Sequence, residues 1–134
     1  MPDRARVDAF VTAVVGGDHV AAIRDFYTAE ASMRENANEP RRGRDALMAH
    51  EAKALARLER MHTHPPLSVL VDGDRVVVHW VFDATSKEGI TRRLEELAIQ
   101  RWEGDRIAEE RFFYDTASSW REVEAAVAGS RGSA

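Results

Sequence analysis

The sequence predicts an α+β domain, with helices laid against a bent antiparallel sheet. Two observations carry this reading. Apolar residues recur at helical spacing up to about residue 60 and at strand spacing from there to about residue 114. The apolar faces of three helices are also the only cover available for the amphipathic sheet that follows. At 134 residues the chain is one domain. That domain is expected over residues 1–128, with 129–134 as a disordered tail.

The elements follow in order. Val7, Phe10, Val11 and Val14 fall at i, i+3, i+4 and i+7 on one helical face. Asp3 stands where that helix needs a cap, and Gly16-Gly17 ends it. Asp18 caps a short second helix with Val20, Ile23, Phe26 and Tyr27 on its apolar side. Residues 31–36 read as a short extended segment, and Glu39 to Gly43 as a loop broken by Pro40 and Gly43. A third helix is expected from about Asp45 to Arg60. Its stripe is Leu47, Ala54, Leu55 and Leu58, interrupted by Glu51.

The period then becomes two. Leu67, Val69 and Val71 alternate up to Asp72-Gly73-Asp74, a hairpin signal. Arg75 to Ala84 returns as a strand rich in β-branched and aromatic residues. Lys87-Glu88-Gly89 turns the chain into Leu94–Trp102, and Glu103-Gly104-Asp105 turns it into Ile107–Tyr114. Ser119 and Glu122 have capping-box spacing, which predicts a closing helix with Trp120, Val123 and Val127 on its apolar face.

Composition excludes several classes. The net charge of −4 gives no basic face for a nucleic acid or an anionic membrane. The absence of Cys removes disulfides, thiolate metal sites and cysteine nucleophiles, and it fits a reducing compartment. No apolar run approaches the roughly 18 residues of a membrane span. The N-terminus has no signal-peptide core. The expectation is a soluble, cytoplasmic protein without a cofactor.

Phe26-Tyr27-Thr28-Ala29-Glu30, the helix entry Gly43-Arg44-Asp45-Ala46, and Trp102-Glu103-Gly104-Asp105-Arg106-Ile107-Ala108-Glu109 occur in this order among these elements. Together they resemble the SnoaL-like branch of the nuclear transport factor 2-like superfamily, over residues 5 to about 117. The resemblance implies a cone-shaped fold in which helices and a strongly bent sheet enclose one deep apolar pocket, with the sheet's outer face paired in a homodimer. Relatives include polyketide cyclases, ketosteroid isomerase, scytalone dehydratase and limonene epoxide hydrolase, alongside catalytically silent binding modules, so fold alone does not decide function.

Carried over by position, the resemblance puts the catalytic Asp of the cyclases and the epoxide hydrolase three residues before a closing Asp. Counting back from Asp115 gives Phe112, and the strand reads Glu109-Glu110-Arg111-Phe112 where cyclases typically read Glu-His-Trp-Asp. A benzyl group transfers no proton, so those mechanisms are not inherited unchanged. The epoxide hydrolase's water-holding Tyr and Asn match Arg34 and Asn36, and its Arg–Asp pair falls on Val81 and Asp83. Each pair keeps one partner, which argues against epoxide hydrolysis by that machinery.

The remaining candidates come from the residues themselves. With Gly73-Asp74 as a two-residue turn, Ser68 faces His79 and His64 faces Asp83, so His62, His64, Ser68, His79 and Asp83 line one side of the hairpin. Three readings stay open: the solvated face of an amphipathic hairpin with Val69, Val78, Trp80 and Phe82 buried, a polar pocket wall using His64–Asp83 as a base, or a metal site, which is not expected. Glu110 and Tyr114 flank Phe112 on its face. Glu110 is the best remaining acid–base group there, with a solvent-facing Glu as the alternative. Tyr114 is either a hydrogen-bond donor to a substrate or core. Arg34 in the pocket would attract an acid; otherwise it pairs at the surface with Glu30 or Glu35. Asp115 reads as a cap or turn former, His50 as satisfied or exposed, and His19 as solvated.

The functional expectation is a small-molecule pocket for an apolar or weakly acidic ligand. Its activity would be that of a cofactor-free isomerase, cyclase or dehydratase, using Glu110 or His64–Asp83, with Arg34, Asn36, His79, Phe112 and Tyr114 contacting the ligand. The alternative is a non-catalytic binding or dimeric interaction module. A homodimer through the outer sheet face is expected, to cover Val78, Trp80 and Phe82.

Overall fold

The structure is a computed structural model, and residues 1–124 are described. Three helices lie on a strongly curled, half-barrel sheet. The order is α1 (Arg4–Val15), α2 (His19–Phe26), β1 (Tyr27–Glu35), β2 (Arg41–Arg42), α3 (Arg44–Ala56), β3 (Leu58–Thr63), β4 (Ser68–Asp72), β5 (Arg75–Ser86), β6 (Thr91–Glu103), β7 (Arg106–Phe113) and β8 (Arg121–Val123). The sheet runs β2-β1-β7-β6-β5-β3, with β4 also on β5 and β8 on β6. It is mixed, not antiparallel throughout, because β1 lies parallel to β7. No helix among the described residues is long and apolar enough to cross a membrane.

The helix starts follow local chemistry. Val7, Phe10 and Val14 are buried, as their spacing predicts. Asp3 sits at the cap position of α1, but its side chain makes no cap bond. Asp18 does cap α2, its carboxylate accepting from the Ala21 N–H at 2.9 Å. Phe10 packs edge-on to Phe26, Tyr27 and Trp102 at 5.5–6.1 Å, the geometry aromatic quadrupoles prefer. This cluster pins α1 and α2 to the sheet.

Three expectations need correction. The third helix stops at Ala56, because Leu58 and Met61 are taken by pairing with Ser86 and Ala84 of β5. Tertiary pairing overrides a helical stripe here. The expected closing helix is absent from the described residues: Trp120 has φ 58 and Arg121–Val123 pairs with Thr91–Arg93. The edge of β6 beyond the end of β7 has unpaired backbone groups, and β8 satisfies them. Val127 and the expected tail lie outside the described residues.

The third correction concerns register. The Asp72–Arg75 hairpin pairs as expected, with Ser68 opposite His79. Pro65-Pro66 then interrupts the ladder, since proline has no N–H to give. Beyond it the register slips by two residues, so His62, not His64, stands opposite Asp83. A slip of two keeps every side chain on its face.

Candidate functional site

The two faces of the sheet differ sharply. Val76, Val78, Trp80, Phe82 and Ala84 of β5 are buried, as are Leu94, Glu96, Ala98, Gln100 and Trp102 of β6. Trp80, Phe82, Ala84, Leu94 and Glu96 of this face line a cavity of about 630 Å³ between sheet and helices, walled also by Phe10, Tyr27, Glu51 and Phe112. Trp80 and Phe82 therefore need no partner molecule to cover them.

A chain of buried polar groups runs along one wall. The Trp102 indole N–H donates to Gln100 Oε1 at 2.9 Å, and Gln100 Nε2 donates to Glu110 Oε2 at 2.7 Å. An indole only donates, which fixes the orientation of the Gln100 amide. The Tyr27 hydroxyl donates to the other oxygen of Glu110. Glu110 is 3% exposed and lines the cavity. Burial raises its pKa, the bonds from Tyr27 and Gln100 pull it partway back, and Glu51 adds repulsion, which leaves it at about 7. Burial beside that carboxyl pushes the Tyr27 hydroxyl well above its ordinary value.

A second carboxyl faces the same space. Glu96 is 8% exposed and stands opposite Trp80 across the β5–β6 ladder. Burial, followed by repulsion from Glu110, Glu35 and Glu51, raises it to about 8. At the far wall His19 is buried, not solvated. Its Nδ1 lies 3.2 Å from Glu51 Oε2 and its Nε2 lies 2.9 Å from Thr63 Oγ1. Glu51, which breaks the apolar stripe of α3, was the sequence's one sign of this link.

The other expected site residues stand away from the cavity. His64, His79 and Asp83 lie on the outer face, because side chains at odd positions of β5 point away from the helices. Asp83 accepts two bonds from Arg93, at 2.7 and 2.9 Å, and one contact from His64 at 2.8 Å. Burial works against its charge, but these bonds outweigh it and hold the carboxyl below its usual range. His79 pairs with Glu95 at 2.7 Å. Arg34 bonds the Asn38 carbonyl at 2.9 Å and leaves the cavity without the cation expected there. Asn36 takes a left-handed turn at φ 50, and its Oδ1 accepts from the Tyr114 N–H at 3.1 Å. Tyr114 lines a groove on the outer side, and its hydroxyl donates to Glu35 at 2.6 Å. Burial and that carboxylate push it up to about 12. Val81 also points outward. Asp115 holds a turn through Ala117 and Ser118. Of the expected set, Glu110 and Phe112 line the cavity.

A curled sheet with helices over its concave face is the architecture of the nuclear transport factor 2-like superfamily. Residues 7–110 match the model of the SnoaL-like domain, and the chain belongs to that family. Three solved structures are similar to it. A Catenulispora acidiphila protein with a ketosteroid isomerase-like fold, in complex with trimethylamine, has 21% identity and a TM-score of 0.70 over 84% of this chain and 87% of that one. An LEH-like epoxide hydrolase of M. tuberculosis has 12% identity and a TM-score of 0.70 over 85% and 83%. A Xanthomonas campestris protein of unknown function with a cystatin-like fold has 19% identity and a TM-score of 0.73 over 88% and 95%. At these identities the likeness is one of fold. No curated protein matches the chain.

Proposed function

We propose that the protein is a cofactor-free acid–base enzyme acting on a small, largely apolar, oxygenated molecule by isomerisation, cyclisation or dehydration. The observation that supports this best is Glu110: a carboxyl on the cavity wall, held by Tyr27 and Gln100, and brought to a pKa of about 7. A group titrating near neutrality both takes and returns a proton readily. Gln100 and Tyr27 fix its position on the cavity wall. The family and the similar fold of an LEH-like epoxide hydrolase support small-molecule chemistry, as does the trimethylamine held by another protein of this fold. The case for an acidic ligand weakens once Arg34 is out of the wall.

Proton exchange tests the reading. The α-protons of 2-tetralone, an apolar ketone, should exchange in D2O faster with the protein than in buffer. Glu110→Gln should remove about 100-fold or more of that acceleration. Phe112, where relatives carry their acid, favours a second reading as a non-catalytic binding module. No acceleration over buffer, with 2-tetralone bound, would support that reading instead.

We propose also that two copies pair through the outer sheet face, where Leu97, Ile99 and Phe113 are exposed.

A further inference from the structure

We propose that the cavity selects a cationic ligand, a hydrophobic tertiary or quaternary ammonium group, with Glu96 as its counter-ion. The inference rests on the reading of the cavity as a small-molecule site and adds the charge of the molecule.

Glu96 carries the argument. Its side chain is more than nine-tenths buried, lines the cavity and has no hydrogen-bond partner among the described residues. Glu110, by contrast, is held by Tyr27 and Gln100. Its carboxyl oxygens open onto the cavity, where no protein group among the described residues takes them up and a ligand can.

The charge balance points the same way. Glu35, Glu39, Glu51, Glu96 and Glu110 all line the cavity. Glu96 and Glu110 are buried and Glu51 is half-buried beside His19, while Glu35, Glu39 and the arginines of the lining, Arg41, Arg57 and Arg92, are exposed, so no lysine or arginine among the described residues is buried with Glu96 and Glu110. Repulsion among these carboxyls helps keep Glu96 protonated to about pH 8. A bound ammonium group would reverse that repulsion, whereas an anion would add to it.

The walls decide which cation fits. Trp80 is the cross-strand partner of Glu96, and its ring lies 5.6 Å from that of Phe82. Phe10 and Phe112 complete an aromatic lining. Desolvated aromatic faces attract organic cations, and quaternary ammonium groups most characteristically. A divalent metal ion needs six or more oxygen ligands or retained waters, which an aromatic wall does not return.

The test compares benzyltrimethylammonium with neopentylbenzene, its uncharged carbon isostere, by titration of the full chain at pH 8.5. The cation should bind about 10-fold or more tightly than the isostere. Glu96→Gln should cut that preference below about 3-fold and leave the isostere's affinity within about 2-fold. Thermal unfolding checks that the variant folds, and the wild-type comparison stands without it. An isostere that binds as tightly as the cation overturns the proposal and leaves the small-molecule reading in place. A preference that survives Glu96→Gln overturns the role of Glu96. Binding of neither overturns both the proposal and the reading it rests on.

Discussion

Glu96 and Glu110 keep their protons in the folded protein at pH values where the unfolded chain has lost them. Their pKa values rise from 4.5 to about 8 and about 7. Folding therefore takes up protons above pH 4.5, and stability falls as pH rises through that window and levels off above about 8. Asp83 acts in the opposite sense: held below 3.8, it loses its contribution as pH falls through that range. Thermal unfolding should thus show a maximum near pH 4–5 and a decline toward pH 8. Glu96→Gln should flatten the decline and stabilise the protein at pH 8.5, by on the order of 2 kcal/mol. A melting temperature that rises from pH 5 to pH 8 would contradict both assignments. Glu110 was legible in the sequence, because counting from Asp115 sets Phe112 and its i−2 neighbour on one face. Glu96 was not. In Leu94-Glu95-Glu96-Leu97-Ala98-Ile99-Gln100 both alternating sets contain apolar residues, so spacing cannot say which faces the helices. His19 was missed because its partners lie 32 and 44 residues away.

At the scale of elements, Asp83 ties three strands. It sits on β5, takes the guanidinium of Arg93 from β6, and takes His64 from just past β3. This clasp lies where Pro65-Pro66 breaks the ladder between β3 and β4, so it substitutes for hydrogen bonds that prolines cannot make. Its side chain is 3% exposed, whereas Glu95, which pairs with His79 on the same face, is 55% exposed. Urea unfolding should find Asp83→Ala costing about 2–3 kcal/mol, discounted because Arg93 keeps partial access to water. Glu95→Ala should cost under about 1 kcal/mol. Equal losses would show that burial is not what gives the clasp its strength. The polar face of this hairpin was legible, since alternation alone sets His62, His64, His79 and Asp83 together. Its exposure to the outside was not, because alternation is blind to which side the helices cover. Turns at Gly73, Gly89 and Gly104 make β4, β5, β6 and β7 successive neighbours, and all three adopt the positive φ that glycine allows. The closing helix was misread because capping spacing at Ser119 is a local signal, and the open edge of β6 is a remote one.

For the whole molecule, the outer sheet face is the surface that two copies would share. Leu97 is 40% exposed, Ile99 36% and Phe113 37%, and they are neighbours: Leu97 stands opposite Phe113, and Ile99 opposite Val77. The reason for pairing differs from the one the alternation suggests. Val78, Trp80 and Phe82 already have cover from the cavity side, and it is the odd-numbered apolar residues that lack it. Arg111 lies over the Phe113 ring at 4.5 Å, leaving a charged border beside an apolar strip. Contiguous apolar strips with polar rims are where soluble proteins associate. Sedimentation velocity should show a dimer at tens of micromolar, and Leu97→Glu should shift it to monomer by removing one apolar anchor from each side of a two-fold contact. The side chain at 97 points away from the cavity, so the monomeric variant should keep the melting temperature of a partly exposed substitution and its proton-exchange activity. A wild-type chain that stays monomeric at hundreds of micromolar would remove the dimer. A Leu97→Glu chain that is monomeric but inactive would mean that pairing shapes the cavity, which would join two faces of the sheet that the geometry otherwise keeps apart.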